Sequence, residues 1–301
     1  METRYLTSHD GTQIFIRIWV IPMPKAIIQI VHGMAEHSER YCDFAASCNA
    51  AGFSVYATDH RGHGQTVKNA RDFGYIGENG FENMVEDEFA LLNDVQTKIA
   101  GEIPYFILGH SMGSFLVQRF IQKHSENIAG ALIIGSTGYN KNTRLGQKVA
   151  ALFEKITKDK PSRLLEKIIF TGYNSKTAKK TDFDWLATDE TVVANYITDD
   201  FCGNTFPPSF YNQLMAFLGK IADINERRQI LPNFSIFILS GAADPVGLYG
   251  KGVQELFWQY EDVGLTNITM KIYPKSRHEI LNDIEKAEVY DDIKNWILER
   301  I

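Results

Sequence analysis

The chain of 301 residues is 44% hydrophobic and 23% charged, a globular balance that excludes collagen-like, coiled-coil and disordered classes and suits one large core, with or without an inserted piece. A formal charge of −6 argues against nucleic acid as a partner. No apolar run approaches the roughly 20 residues of a membrane span, and no basic leader opens the chain, so secretion and stable membrane insertion are disfavoured.

In chain order, segments 3–8 and 12–21 joined by His9-Asp10-Gly11 read as a hairpin. AIIQIV (26–31) is apolar nearly throughout, as in a sheet covered on both faces, and ends in His32-Gly33-Met34. A helix over 38–51 precedes a strand over 53–58 that ends at Asp59. Phe81, Val85, Phe89, Leu92, Val95 and Ile99 form the stripe of an amphipathic helix. A strand over 104–108 then feeds GHSMGS (109–114) and a helix over 112–124, and AGALIIG (129–135) is another strand. Between about 136 and 208 the alternation breaks. Leu145, Val149, Leu152, Phe153 and Ile156, then Leu164, Leu165, Ile168 and Ile169, mark short amphipathic helices separated by Pro161 and polar turns. A helix over 209–225, a strand over 234–240, a helix over 249–262, a strand over 268–273 and a helix over 280–300 complete the chain. The inner face assigned to the last helix is Ile284, Ala287, Tyr290, Ile293 and Ile297. The expected fold is α/β: eight strands in a mostly parallel sheet with helices on both faces. Residues 1–135 and 209–301 form its core, and 136–208 an inserted helical cap.

Functional groups gather at the carboxyl ends of strands in such sheets. Four ends carry chemistry here: His32-Gly33-Met34, Ser111, Asp244 and His278. Gly109-His110-Ser111-Met112-Gly113 fits G-x-S-x-G, whose glycines let a serine stand on a strained turn. A serine needs a base to take its proton, and an imidazole base needs a third group to fix its tautomer. Ser111, Asp244 and His278 follow the order nucleophile, acid, base. The expected oxyanion donors are the backbone N–H groups of Met112, just after the serine, and of Met34, in the loop after the strand ending at His32. Asp59 also ends a strand, but its place in the order disfavours it as the acid. A serine at a helix start also serves as a cap, a reading outweighed once the acid and histidine are in place. His32, His37, His60 and His63 match no zinc-binding spacing and read as polar loop support. Cys42, Cys48 and Cys202 form no C-x-x-C or zinc-ribbon pattern. No metal or cofactor is expected, and reduced thiols point to the cytoplasm.

These residues resemble an α/β-hydrolase of the monoacylglycerol lipase and lysophospholipase group, catalogued with the serine aminopeptidase-like hydrolases. VHGMAEHSERY (31–41) is similar to the group's oxyanion segment, DHRGHGQT (59–66) to the loop after the next strand, and GHSMGS to its nucleophile elbow. GAADPVG (241–247) resembles its acid loop, IYPKSRHEILND (272–283) its histidine loop, and DWLATDETVVANYITDDFCG (184–203) the cap of bacterial members. Gln65 departs from the small serine usual after RGHG. The resemblance implies a serine hydrolase of carboxylic esters, acting on monoacylglycerols, lysophospholipids or short acyl esters without a cofactor. A thioesterase or an aminopeptidase would use the same three residues, and a non-catalytic scaffold would be expected to lack one. Epoxide and haloalkane hydrolases would carry Asp at position 111.

The cap should roof the serine and line an acyl pocket, with Phe153, Phe170 and Trp185 as candidate lining residues. It is also basic. Positions 141–180 hold eleven Lys or Arg against three acids, a net +8, and leave −14 for the rest. Such a segment could steer anionic lipid surfaces or head groups toward the entrance, or simply be a solvated face.

Overall fold

The computed structural model describes residues 1–99, 101–138, 143–157 and 160–301, with 143 and 144 described by backbone only. Lys141, Lys158 and Asp159 of the basic segment lie outside the described residues, as does the side chain of Arg144. Eight strands form one sheet: β1 (Glu2–Thr7), β2 (Gln13–Trp19), β3 (Ala26–Val31), β4 (Phe53–Asp59), β5 (Tyr105–His110), β6 (Gly130–Ile134), β7 (Ser235–Gly241) and β8 (Ile268–Tyr273). Their order is β1-β2-β4-β3-β5-β6-β7-β8. β2 runs antiparallel to both its neighbours, and from β4 to β8 all pairs are parallel. The chain moves one way from β3 to β4 and then to the other side of β3 for β5. That reversal opens a crevice at the carboxyl ends of β3 and β5, where ligands bind in open sheets of this kind.

The central parallel strands β3, β5, β6 and β7 are buried on both faces, so their apolar runs are continuous. Ile28, Ile30, Phe106, Leu108, Leu132 and Phe237 pack with α1 (Cys42–Ala50) and α10 (Lys286–Leu298). Ile27, Ile107, Ile133, Ile236 and Ile238 face the opposite layer, which holds α2 (Gly80–Lys98), α3 (Met112–His124) and α9 (Lys251–Glu261). Between β6 and β7 lie α4 (Thr143–Thr157), α5 (Arg163–Ile169), α6 (Glu190–Thr198), α7 (Pro208–Ile221) and α8 (Ile224–Arg227). α7 packs along α4 on one side and on α2 and α3 on the other. Asp223 accepts a hydrogen bond from Asn225 N at 2.8 Å and caps α8, which divides the helix expected over 209–225. Among the described residues no helix is long and apolar enough to cross a membrane.

Two expectations need correction. The last helix starts at Lys286, not at 280. Asp283 accepts bonds from Arg277 N and Ile284 N, and Glu285 from Lys275 N, each at 2.8 or 2.9 Å, so their carboxylates hold the preceding stretch as a loop. Ile284 and Ala287 are therefore exposed, and the inner face is Val289, Tyr290, Ile293, Trp296 and Ile297. In α4, Val149 and Phe153 pack on the core, whereas Leu145, Leu152 and Ile156 are exposed. The helix is apolar on more than the face that α7 covers.

Candidate active site

β5 ends by driving Ser111 to φ 53° and ψ −120°, a region that L-residues avoid. The turn holds because Ser111 N donates to Ile134 O at 2.9 Å and the helix starts at once with Met112. It fits only because its flanks are bare. A Cβ on Gly113 would lie 2.0 Å from Val31 O, and one on Gly109 would lie 2.3 Å from Gly113 O. Gly33 is equally constrained, since its Cβ would fall 3.2 Å from Ser111 Cβ and 2.5 Å from Glu36 Oε1.

His278 and Asp244 meet under the sheet's end. His278 Nδ1 lies 3.0 Å from Asp244 Oδ1, and both residues are buried. Asp244 Oδ1 also accepts from Val246 N at 2.8 Å, and Oδ2 from Ser240 Oγ at 3.2 Å. A buried carboxylate so held fixes the imidazole with its proton on Nδ1 and leaves Nε2 free to accept. Trp185 lies against the ring with centroids 5.0 Å apart. Asp59 is otherwise engaged: Oδ1 accepts from Ser38 N and Ser38 Oγ, and Oδ2 from Gln65 N at 2.7 Å. The bond at position 65 uses the backbone, so the departure to Gln65 leaves it intact.

Ser111 and His278 open onto one cavity of 1180 Å³, which Met34 and Met112 also line. Phe170 and Trp185, near-parallel at 5.9 Å, form part of its wall. Phe153 does not line it. The first turns of α4 reach the cavity through Leu145, Gly146 and Val149, and Phe153 packs one turn further on against the main apolar core.

Sequence reasoning missed the buried charges behind the serine. Glu36 Oε1 accepts from Gly33 N (2.6 Å), Tyr41 Oη (2.9 Å) and His110 Nδ1 (3.0 Å), and Oε2 accepts from Arg40 Nη1 at 2.8 Å. Arg40 also clasps Glu279, next to His278, with two bonds of 2.6 Å. Burial would neutralise Glu36, but the bond and charge of His110 and the charge of Arg40 hold its carboxyl well below the ordinary range. Burial would likewise lower His110, and the bond to Glu36 reverses this and raises it. Glu36 precedes the helical turn Ser38–Tyr41, so its spacing of four from Arg40 is not a helical one and gave no signal. Glu279 lies 239 positions from Arg40 and gave none either.

The histidines first read as loop support are mostly that. His32 Nε2 accepts from His60 N at 3.0 Å, and His60 Nε2 faces His32 O at 3.1 Å, which ties the ends of β3 and β4 together. His63 Nδ1 donates to Arg61 O at 2.9 Å. Burial first, then the charge of His60, lowers the His63 ring to about 3.

A sheet of this order, with a strained serine at its switch point and a buried aspartate and histidine paired beyond the ends of the strands two and three places away, defines an α/β-hydrolase. The family model described as serine aminopeptidase, S33, matches residues 22–285, and the chain belongs to that family. Monoacylglycerol lipase of Mycolicibacterium smegmatis is 25% identical over 97% of this chain and 95% of its own length. Human monoglyceride lipase is 26% identical over 98% of this chain and 90% of its own. A thermostable carboxyl esterase from Bacillus coagulans, solved with glycerol, superposes with a TM-score of 0.89 at 30% identity and covers 100% of this chain and 99% of its own. Within its family the chain falls in the monoglyceride lipase-like group and is a carboxylic ester hydrolase.

Proposed function

We propose that the chain hydrolyses esters bearing a single acyl chain, monoacylglycerols or lysophospholipids, and short acyl esters, through an acyl-enzyme on Ser111. The observation that carries this reading is the 3.0 Å His278–Asp244 pair, whose histidine opens onto the same cavity as the strained serine. Ser111 Oγ attacks the ester carbonyl and passes its proton to His278 Nε2. The backbone N–H groups of Met34 and Met112 receive the oxyanion, and Asp244 stabilises the imidazolium. The tetrahedral species collapses to the acyl-enzyme, and His278 returns the proton to the departing alcohol. Water, deprotonated by the same ring, then releases the fatty acid and regenerates Ser111.

Residues 136–208 act in this scheme as the cap over the serine. An acyl chain lying along Val149, Phe170, Trp185 and Leu214 of the cavity wall gains about 0.8 kcal/mol per buried CH2. The relatives named monoacylglycerol lipases, and the glycerol found with the Bacillus coagulans esterase, favour a glycerol ester as the alcohol half. The buried carboxylates on the wall, Glu36 and Glu279, are committed to His110 and Arg40 and are not free to hold a substrate amine, which leaves Glu166 and Asp182 as the wall carboxylates an aminopeptidase would use. The basic cap would meet anionic lipid surfaces transiently, and the three free cysteines suit a cytoplasmic setting.

The test pairs Ser111→Ala with a substrate panel of monoacylglycerol, lysophosphatidylcholine, p-nitrophenyl butyrate, an acyl thioester and an aminoacyl amide. The variant should lose turnover and fluorophosphonate labelling, with the esters preferred by the wild type. Activity retained in the variant would overturn the mechanism, and preference for the amide would overturn the substrate class.

A further inference from the structure

A second cluster of chemically capable side chains lies where the oxyanion loop meets the segment after α6, outside the ester-cleaving site. His37, Asp199 and Cys202 each offer a ligand atom within 4.8 Å of the other two. His37 is 3% exposed and Cys202 8%. His37 Nε2 lies 2.8 Å from Asp199 Oδ2, while Nδ1 of the same ring is buried without a hydrogen-bond partner. Nδ1 can therefore take the ring proton when Nε2 binds a metal ion.

We propose that His37, Asp199 and Cys202 form a binding site for one Zn²⁺ ion. The donor set selects the metal: a thiolate with an imidazole and one carboxylate suits Zn²⁺, whereas Mg²⁺ and Ca²⁺ require oxygen cages. Zinc bonds of about 2.0–2.3 Å place tetrahedral ligand atoms roughly 3.5 Å apart, so His37 Nε2 and Asp199 Oδ2 open from 2.8 Å and the widest separation, within 4.8 Å, closes by about 1.3 Å at most. Binding forms one Zn–N, one Zn–O and one Zn–S bond. The thiol proton goes to solvent, and the proton of the His37 Nε2–H···Asp199 bond is replaced by one on the vacant Nδ1. Water takes the fourth position from the side on which the Asp199 side chain is 29% exposed.

The site joins two segments that already touch. Gly203 N and Tyr196 Oη both donate to Ala35 O, at 3.0 and 2.9 Å, and Ala35 follows Met34. An ion there would fasten residues 199–203 to the loop that carries Met34. The ion takes no part in the ester-cleaving step itself.

Chelator-treated full-length protein is titrated with Zn²⁺ by calorimetry, and in parallel with Co²⁺ by absorption. The wild type should bind one equivalent, show a thiolate-to-cobalt charge-transfer band, and unfold at a temperature that rises with Zn²⁺ concentration. Cys202→Ser should lose the band, and Cys202→Ser, His37→Gln and Asp199→Asn should each weaken Zn²⁺ binding at least ten-fold. Asp199→Asn, on the partly exposed side chain, decides the matter if the two buried variants fail to fold by circular dichroism. Absence of saturable one-equivalent binding, or unchanged affinity in the folded variants, would overturn the proposal.

Discussion

Glu36→Gln tests whether the buried charges behind Ser111 organise the site. The glutamate oxygens accept four hydrogen bonds, three on Oε1 and one on Oε2. Glutamine keeps the shape but has one acceptor oxygen. If that oxygen stays with Gly33, Tyr41 and His110, the NH2 group points at the Arg40 guanidinium, and two donors face each other with no acceptor between them. His110 also loses the bond and charge that raise it, so burial lowers it. Removing one partner of a buried ion pair costs about 3–5 kcal/mol. Because Arg40 keeps Glu279, the lower end applies. At about 2–4 °C per kcal/mol, Tm should fall by roughly 6–12 °C. The loop that carries Gly33 and Met34 should loosen against Ser111, with kcat/KM on p-nitrophenyl butyrate falling about ten-fold, or about 1.4 kcal/mol. Thermal unfolding followed by circular dichroism and initial rates below the transition measure the two effects. A Tm within 1 °C of the wild type would refute the ion-pair reasoning, and an unchanged kcat/KM would refute the link to the serine.

Gly113→Ala should abolish activity and lower Tm, because its methyl group would overlap Val31 O at 2.0 Å, with backbone atoms on both sides; a variant with wild-type Tm would contradict the elbow packing. Acid should destabilise the fold between about pH 6.5 and 3. His63 titrates at about 3 in the folded state, so below pH 6.5 the unfolded chain binds a proton that the folded one refuses. From pH 6.5 to 5 that histidine alone removes about 2 kcal/mol, at about 1.4 kcal/mol per unit. Urea unfolding of wild type and His63→Gln across this range checks it, and equal slopes in the two proteins would count against it.

The fold was legible because its signals are local. Apolar runs of five to seven residues, each closed by a glycine or a polar turn, mark the central parallel strands β3, β5, β6 and β7, and the stripe on α2 faces inward from Phe81 to Val95 as its spacing requires. The expectations failed where a side chain competes for the backbone. Asp283 and Glu285 hold the stretch before α10 as a loop, although Ile284 and Ala287 fit a helical period. α4 misleads differently: its spacing identifies the helix but not which of its apolar faces α7 covers, so Phe153 faces the core and Leu145 the cavity.

Legibility of the site divides along the same line. Ser111, Asp244 and His278 could be named in advance because each sits at a strand end with a recognisable turn, and a parallel sheet brings strand ends together whatever lies between them. Arg40 and Glu279 carry no such marker, nor do His37 and Asp199, which meet across 162 positions. The first pair joins the loops after β3 and β8, and the second depends on how the helical insertion settles against the loop after β3, a matter of tertiary packing that no periodicity encodes. The consequence for the chemistry is specific. In the proposed mechanism the reacting groups are set by the sheet, but the position of Met34 is set by contacts that cross from the sheet to the insertion, through Tyr196 and Gly203 to Ala35. Substitutions in the segment after α6 should therefore alter oxyanion stabilisation without touching the serine, the histidine or the aspartate.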